Sequence, residues 1–161
     1  MKHFAIGWLC AAGICSAAEQ VPQQKDPRIG YWVEDRISAT NPRAQGLQVS
    51  VEDLGGGRFR YTIGANHLPE NMLRVEGKCD GGTYQWVDGN GKALGNTLSC
   101  RISGPHSVDY LYTQGKSDAW LTSTGTETVS DDGRRLTWKA IRRDTNGRFV
   151  EELSRQFSRR Q

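Results

Sequence analysis

The stretch Leu47-Gln-Val-Ser-Val-Glu-Asp-Leu-Gly-Gly-Gly-Arg-Phe-Arg-Tyr-Thr-Ile63 decides the fold class. Leu47, Val49 and Val51 alternate with Gln48, Ser50 and Glu52, which places the apolar set on one face of an extended strand. Gly55, Gly56 and Gly57 then supply the positive φ that a reversal between twisted strands needs. Phe59, Tyr61 and Ile63 alternate with Arg58, Arg60 and Thr62 on the way out, so the segment reads as an antiparallel hairpin with one buried face.

The same punctuation recurs in Asp88-Gly-Asn-Gly-Lys92, Asp131-Asp-Gly-Arg134 and Asp144-Thr-Asn-Gly-Arg148. Between these turns lie further extended runs. Leu73 and Val75 share a face; Cys79-Asp80-Gly81-Gly82 turns the chain into a run in which Tyr84 and Trp86 share parity. Leu98, Cys100 and Ile102 follow, then Val108, Tyr110 and Tyr112, a Thr/Ser-rich strand over 118–130, and Leu136, Trp138 and Ala140. The closing strand carries Phe149, Leu153 and Phe157 in one register. About nine or ten strands spaced roughly 8–12 residues apart, with no sustained helical stripe, indicate an all-β barrel or sandwich. Any helix is short and is expected over Gly30–Ile37, whose Tyr31 and Trp32 alternatively plug one end of a barrel.

The N-terminus reads as a secretory signal peptide over 1–18: Lys2 and His3, an apolar run from Phe4 to Ile14, then the small residues Ser16, Ala17 and Ala18. Ile14 is too bulky for a lipid-attachment site at Cys15. Residues 19–29 are polar with prolines and are expected to form a flexible leader, followed by a barrel domain over 30–158 and a basic tail, 159–161. Export removes Cys10 and Cys15 and leaves Cys79 and Cys100 where thiols oxidise, so these two are expected to form a disulfide that stabilises by roughly 3 kcal/mol. The expected location is periplasmic or secreted, with no integral membrane segment after cleavage. From Arg134 onward nine Lys or Arg face only Asp144, Glu151 and Glu152. On paired strands such charge forms a solvated face, and for Arg155, Arg159 and Arg160 an anionic lipid or polysaccharide is a better target than nucleic acid, which an exported protein seldom meets.

Most of the mature chain resembles a group of uncharacterised exported bacterial proteins with lipocalin-like, calycin-type barrels. The matching pieces are Cys79-Asp-Gly-Gly-Thr-Tyr84, Leu111-Tyr-Thr-Gln-Gly-Lys116, Ser123 to Leu136 with its Thr-Gly-Thr-Glu-Thr core, and Asp144-Thr-Asn-Gly-Arg148. Gly30-Tyr-Trp32 is similar to the Gly-x-Trp opening of lipocalins, whose tryptophan closes the barrel base. The resemblance implies a single antiparallel up-and-down barrel of about 8–10 strands and export. It implies no reaction, because folds of this kind host many functions.

Nothing in the residues points to catalysis. His67 and His106 are the histidines left after export, both sit near prolines in turns, and no nucleophile elbow occurs. No cofactor or metal is expected, since ligand clusters are missing and Asp88-Gly-Asn-Gly lacks the carboxylates of a calcium loop. Tyr61, Tyr84, Trp86, Tyr110, Tyr112 and Trp138 share parity with apolar neighbours and are expected inside, where they either pack a solid core or line a pocket for a small apolar or amphipathic ligand. Glu151 and Arg155 share the parity of Phe149, Leu153 and Phe157. Either they meet in a polar cavity and orient a ligand headgroup, or a bulge returns them to solvent. The alternative to ligand binding is an inhibitor or interaction module that meets an envelope protein through His67–Asn71, Asp88–Asn96 or the Arg159–Arg160 tail.

Overall fold

The computed structural model describes residues 25–35, 46–65, 72–116 and 119–161. The segment expected to be a signal peptide, residues 19–24 of the expected leader, residues 36–45, and the loop holding His67 therefore lie outside the described residues. Within them the chain forms ten strands: β1 (Gly30–Glu34), β2 (Leu47–Gly55), β3 (Arg58–Ala65), β4 (Leu73–Lys78), β5 (Asp80–Val87), β6 (Ala93–Gly104), β7 (Ser107–Lys116), β8 (Ala119–Val129), β9 (Arg135–Arg143) and β10 (Phe149–Arg160). Every strand pairs antiparallel with its sequence neighbours, and β1 also pairs with β10, so the sheet closes into an up-and-down barrel. Closure leaves no unpaired sheet edge.

Each of the four glycine turns joins a hairpin. In β2–β3, Gly55, Gly56 and Gly57 take φ of 78°, 60° and 72° in succession, a path that side chains with a Cβ rarely follow. The β5–β6 and β9–β10 turns are built alike. Asp88 Oδ1 accepts from the Asn90 and Lys92 amides at 2.9 Å each. Asp144 Oδ1 accepts from Asn146 at 2.8 Å and Arg148 at 2.9 Å. One carboxylate thus satisfies two loop donors, and the basic residue after the glycine closes the turn through its own amide and carbonyl.

Several expectations need correction. Gly30–Glu34 is a strand, not a helix, because its backbone completes the ladders of both β2 and β10. Asp26–Ile29, within the stretch read as a leader, is built into the barrel base, where Arg28 is fully buried. Arg159 and Arg160 belong to β10 and are not a separate tail. The Arg159 guanidinium lies 4.8 Å from the centre of the Trp32 ring and donates to the Ile29 carbonyl. Gly30 allows this approach: a Cβ there would fall 2.8 Å from the guanidinium nitrogens. Finally, a register shift between Phe149 and Glu151 turns Phe149 out to 62% exposure, while Leu153 and Phe157 keep the inward face.

The core fills the barrel's lower half, at the end where Trp32, Val51, Phe59, Val108, Leu136 and Phe157 are each at most 2% exposed. Trp32 Nε1 donates to the Arg28 carbonyl at 2.7 Å, which ties β1 to the segment crossing beneath it. Cys79 and Cys100 are joined in a disulfide that links the β4–β5 corner to β6, with Cα atoms 4.6 Å apart. Closing this loop of 21-residue separation restricts the unfolded chain, so replacing both cysteines by alanine is expected to lower the unfolding free energy by about 3 kcal/mol. Urea denaturation of the oxidised protein and the double variant measures it, and coincident curves would show that the crosslink adds nothing.

Candidate functional site

The upper half of the barrel is not filled. A cavity of about 200 Å³ opens toward the end that carries the β5–β6 and β9–β10 turns. Alternation positions its wall: Tyr61 on β3, Trp86 on β5, Tyr110 and Tyr112 on β7 and Trp138 on β9 all point inward, with Leu47, Ile63, Leu73 and Leu98 between them. The rings meet edge to face, Trp86 with Tyr61 at 5.8 Å and with Tyr112 at 6.1 Å, and Tyr110 with Trp138 at 6.0 Å between centroids. These contacts hold the rings without filling the space above them. Trp138 Nε1 donates to the Tyr110 hydroxyl.

Beneath the cavity sits a buried ion cluster. Arg28 and Glu127 are 1% and 3% exposed, and Arg28 Nη1 donates to Glu127 Oε2 at 2.7 Å. Arg28 also forks onto Asp26, Nε to Oδ1 at 3.0 Å and Nη2 to Oδ2 at 2.8 Å. Tyr61 donates its hydroxyl to Glu127 Oε1 at 2.8 Å, so both oxygens of that carboxylate are engaged. The guanidinium is packed between the rings of Phe59 and Tyr61, 5.4 Å from each centroid, and Nη2 lies 3.2 Å from Cys79 Sγ. Burial opposes the Arg28 charge, but the Glu127 and Asp26 carboxylates more than offset it and hold its pKa above the ordinary value. Burial, reinforced by the Glu127 charge, pushes the Tyr61 and Tyr110 phenols upward. Burial also raises Tyr112, while the charge of Arg142, which borders the cavity, works against it at both Tyr110 and Tyr112.

Of the residues singled out in the sequence, Tyr61, Trp86, Tyr110, Tyr112, Trp138 and Arg155 border this one cavity. Tyr84 does not. Its ring lies against Gly77, where no Cβ would fit, and its hydroxyl donates to Asp80 Oδ1 at 3.1 Å. Glu151 and Arg155 do not pair with each other. Arg155 Nη1 donates to Glu34 Oε1 at 2.8 Å, and Glu151 Oε1 accepts from Arg142 Nη1 at 2.7 Å. The bulge that could have returned both charges to solvent expels Phe149 instead. Arg155 therefore faces inward and is not displayed to an outer surface.

Sequence reasoning missed Arg28, Glu127, Glu34 and Arg142. Parity held a signal for three of them: Glu34 is two residues from inward Trp32, Glu127 two from inward Val129, and Arg142 two from inward Ala140. Nothing in the pattern marked Arg28, which precedes the first strand. At the opposite end a second depression of about 340 Å³ surrounds Lys25, the Gly55–Gly57 turn and Arg58. Its carboxylates Asp26, Asp53 and Asp80 already serve Arg28, the Gly55 amide and the Gly82 amide. Among the described residues no three His, Cys, Asp or Glu side chains gather as metal ligands would. His106 stands in the β6–β7 turn, 3.7 Å from exposed Asp131.

Two consequences can be measured. Glu127→Leu removes one of the two carboxylates that neutralise buried Arg28, together with the acceptor of the Tyr61 hydroxyl, and is expected to cost about 3 kcal/mol in urea unfolding, with Arg28→Met added to it recovering part. A cost below about 1 kcal/mol would show that the pair does not hold the base. In alkali, the neutral phenols of Tyr61 and Tyr110 are favoured by the fold. That stability is complete below the unfolded tyrosine pKa of about 10 and is lost as pH climbs from there through the raised native values. Their phenolate absorbance is therefore expected to appear in step with loss of near-ultraviolet circular dichroism. Phenolate appearing well before the fold is lost, in a Tyr31/Tyr84/Tyr112→Phe background, would contradict it. No protein-family model matches the chain and no curated protein matches its sequence, so the chemistry of its own residues carries the functional reading.

Proposed function

We propose that this is an exported lipocalin-like protein that holds a small apolar or amphipathic molecule in its barrel without covalent chemistry. One observation carries the reading: a closed barrel whose lower half is packed leaves an aromatic-walled cavity of about 200 Å³ in the upper half. Small barrels either fill their interior or enclose one ligand, and a mouth-facing void with oriented polar groups belongs to the second kind. The volume lies below the roughly 300–1,000 Å³ of pockets for drug-sized ligands, so the occupant is compact. Periplasmic or secreted residence is supported by the signal-like N-terminus and by the Cys79–Cys100 bridge, which suits an oxidising compartment. No catalytic role is proposed, since the buried carboxylate and guanidinium are spent on each other.

The rival reading, a module that meets an envelope protein, draws on the outward Phe149 and Val150, 62% and 48% exposed beside the β9–β10 turn. Both features lie at the same end of the barrel, but the cavity is inside its wall while Phe149 and Val150 are exposed, so a ligand titration separates the two readings. Titrating the delipidated protein with short fluorescent fatty-acid and retinoid analogues is expected to quench Trp86 and Trp138 in a saturable way, and Trp86→Phe is expected to remove most of the change. No saturable response across a broad panel would overturn the proposal.

A further inference from the structure

The cavity's donors and acceptors are unequally used. Glu127 has both oxygens engaged, by Tyr61 and Arg28. Glu34 has both engaged as well, by Arg155 Nη1 and by the Leu47 amide at 3.0 Å. The donors are in surplus. Arg142 and Arg155 each spend only Nη1 on a carboxylate, and among the described residues the Nε and Nη2 atoms of both have no partner. Trp86, 4% exposed and part of the same wall, has a buried Nε1 that meets no acceptor. A buried donor without an acceptor is unfavourable, and a ligand acceptor would relieve it.

We propose that the occupant is a compact carboxylate, with its apolar body among the rings and its head on Arg142 and Arg155. The proposal rests on the interior-binding reading and specifies the ligand class for that site. The free Nε–Nη2 edge of a guanidinium is the planar fork that pairs with a carboxylate through two parallel hydrogen bonds. An amine would meet these same arginines with repulsion, and an alcohol would engage one donor at most. The aromatic wall contributes non-directional burial, so body shape is selected loosely and the head strictly. Arg142 is the stronger anchor: Glu151, its partner, is 45% exposed and restrains it weakly, whereas the Glu34 side chain is 8% exposed and grips Arg155 firmly.

The test is isothermal titration calorimetry with matched probes, 1-naphthylacetate against 2-(1-naphthyl)ethanol and octanoate against octanol. The acid of each pair is expected to bind about tenfold or more tighter than its alcohol. Arg142→Gln should abolish that preference while leaving alcohol binding intact, which also certifies that the variant is folded. Because Arg155→Gln would strand buried Glu34, its role is tested in Glu34→Gln/Arg155→Gln, where the preference should fall about threefold. Glu151→Gln frees Arg142 Nη1 and should tighten the acids alone by about threefold. Acids and alcohols binding equally would overturn the carboxylate proposal and leave interior binding standing. An acid preference that survives both arginine variants would overturn it too. Binding of neither class would remove both readings.

Discussion

A guanidinium at the bottom of a barrel is the constraint around which this molecule is arranged. Desolvating Arg28 is unfavourable by several kcal/mol, and only carboxylates held within hydrogen-bond distance make it tolerable. Asp26 comes from two residues away, Glu127 from β8 on the far side of the ring, and Tyr61 on β3 fixes the second oxygen of Glu127. The cluster therefore connects the segment entering the barrel to opposite walls. Trp32, bonded to the Arg28 carbonyl, and the disulfide, in contact with Arg28 Nη2, extend it to β1, β4 and β6. A polar centre of this kind specifies one geometry for the base more strictly than a layer of aliphatic side chains would.

The same cluster explains why the upper half stays open. Tyr61 is drawn downward to Glu127, and Tyr110 is turned toward Trp138 and accommodated over Gly125, whose absent Cβ leaves the hydroxyl its place. Aromatic side chains committed to polar partners cannot swing into the space above them. The charged residues at the mouth also have partners across strands, Arg155 held firmly by Glu34 and Arg142 more loosely by Glu151. The barrel is thus divided into a packed base that sets the shape and an upper chamber whose walls are held from below.

How much of this could be read beforehand follows from the range of each interaction. The turns were legible because their chemistry is local: Asp88 and Asp144 each bind amides two and four residues onward, so five letters hold the whole device. The strands and most inward aromatics followed from the two-residue period, and the Cys79–Cys100 pairing from elimination once the leader was set aside. What escaped depends on partners far apart in sequence. Glu127 lies 99 residues from Arg28 and Glu34 lies 121 from Arg155, and no local pattern announces either pair. Phe149 escaped for a different reason: one inserted residue in the β9–β10 ladder reverses parity on one side of the bulge, which alternation alone cannot reveal.

The pairing of β1 with β10 gives the barrel an order of assembly. Nine of its ten ladders join strands adjacent in sequence, whereas the last brings together residues such as Tyr31 and Arg160 from opposite ends of the fold. Hairpins can form as soon as their two strands exist, but β1 keeps one bare edge until β10 arrives. Arg159, lying over Trp32 and bonded to Ile29, acts as the latch that completes this step. A chain interrupted before its final dozen residues would hold nearly all its turns and most of its core, yet present two open strands to every other copy, and its failure would be self-association before it was loss of shape.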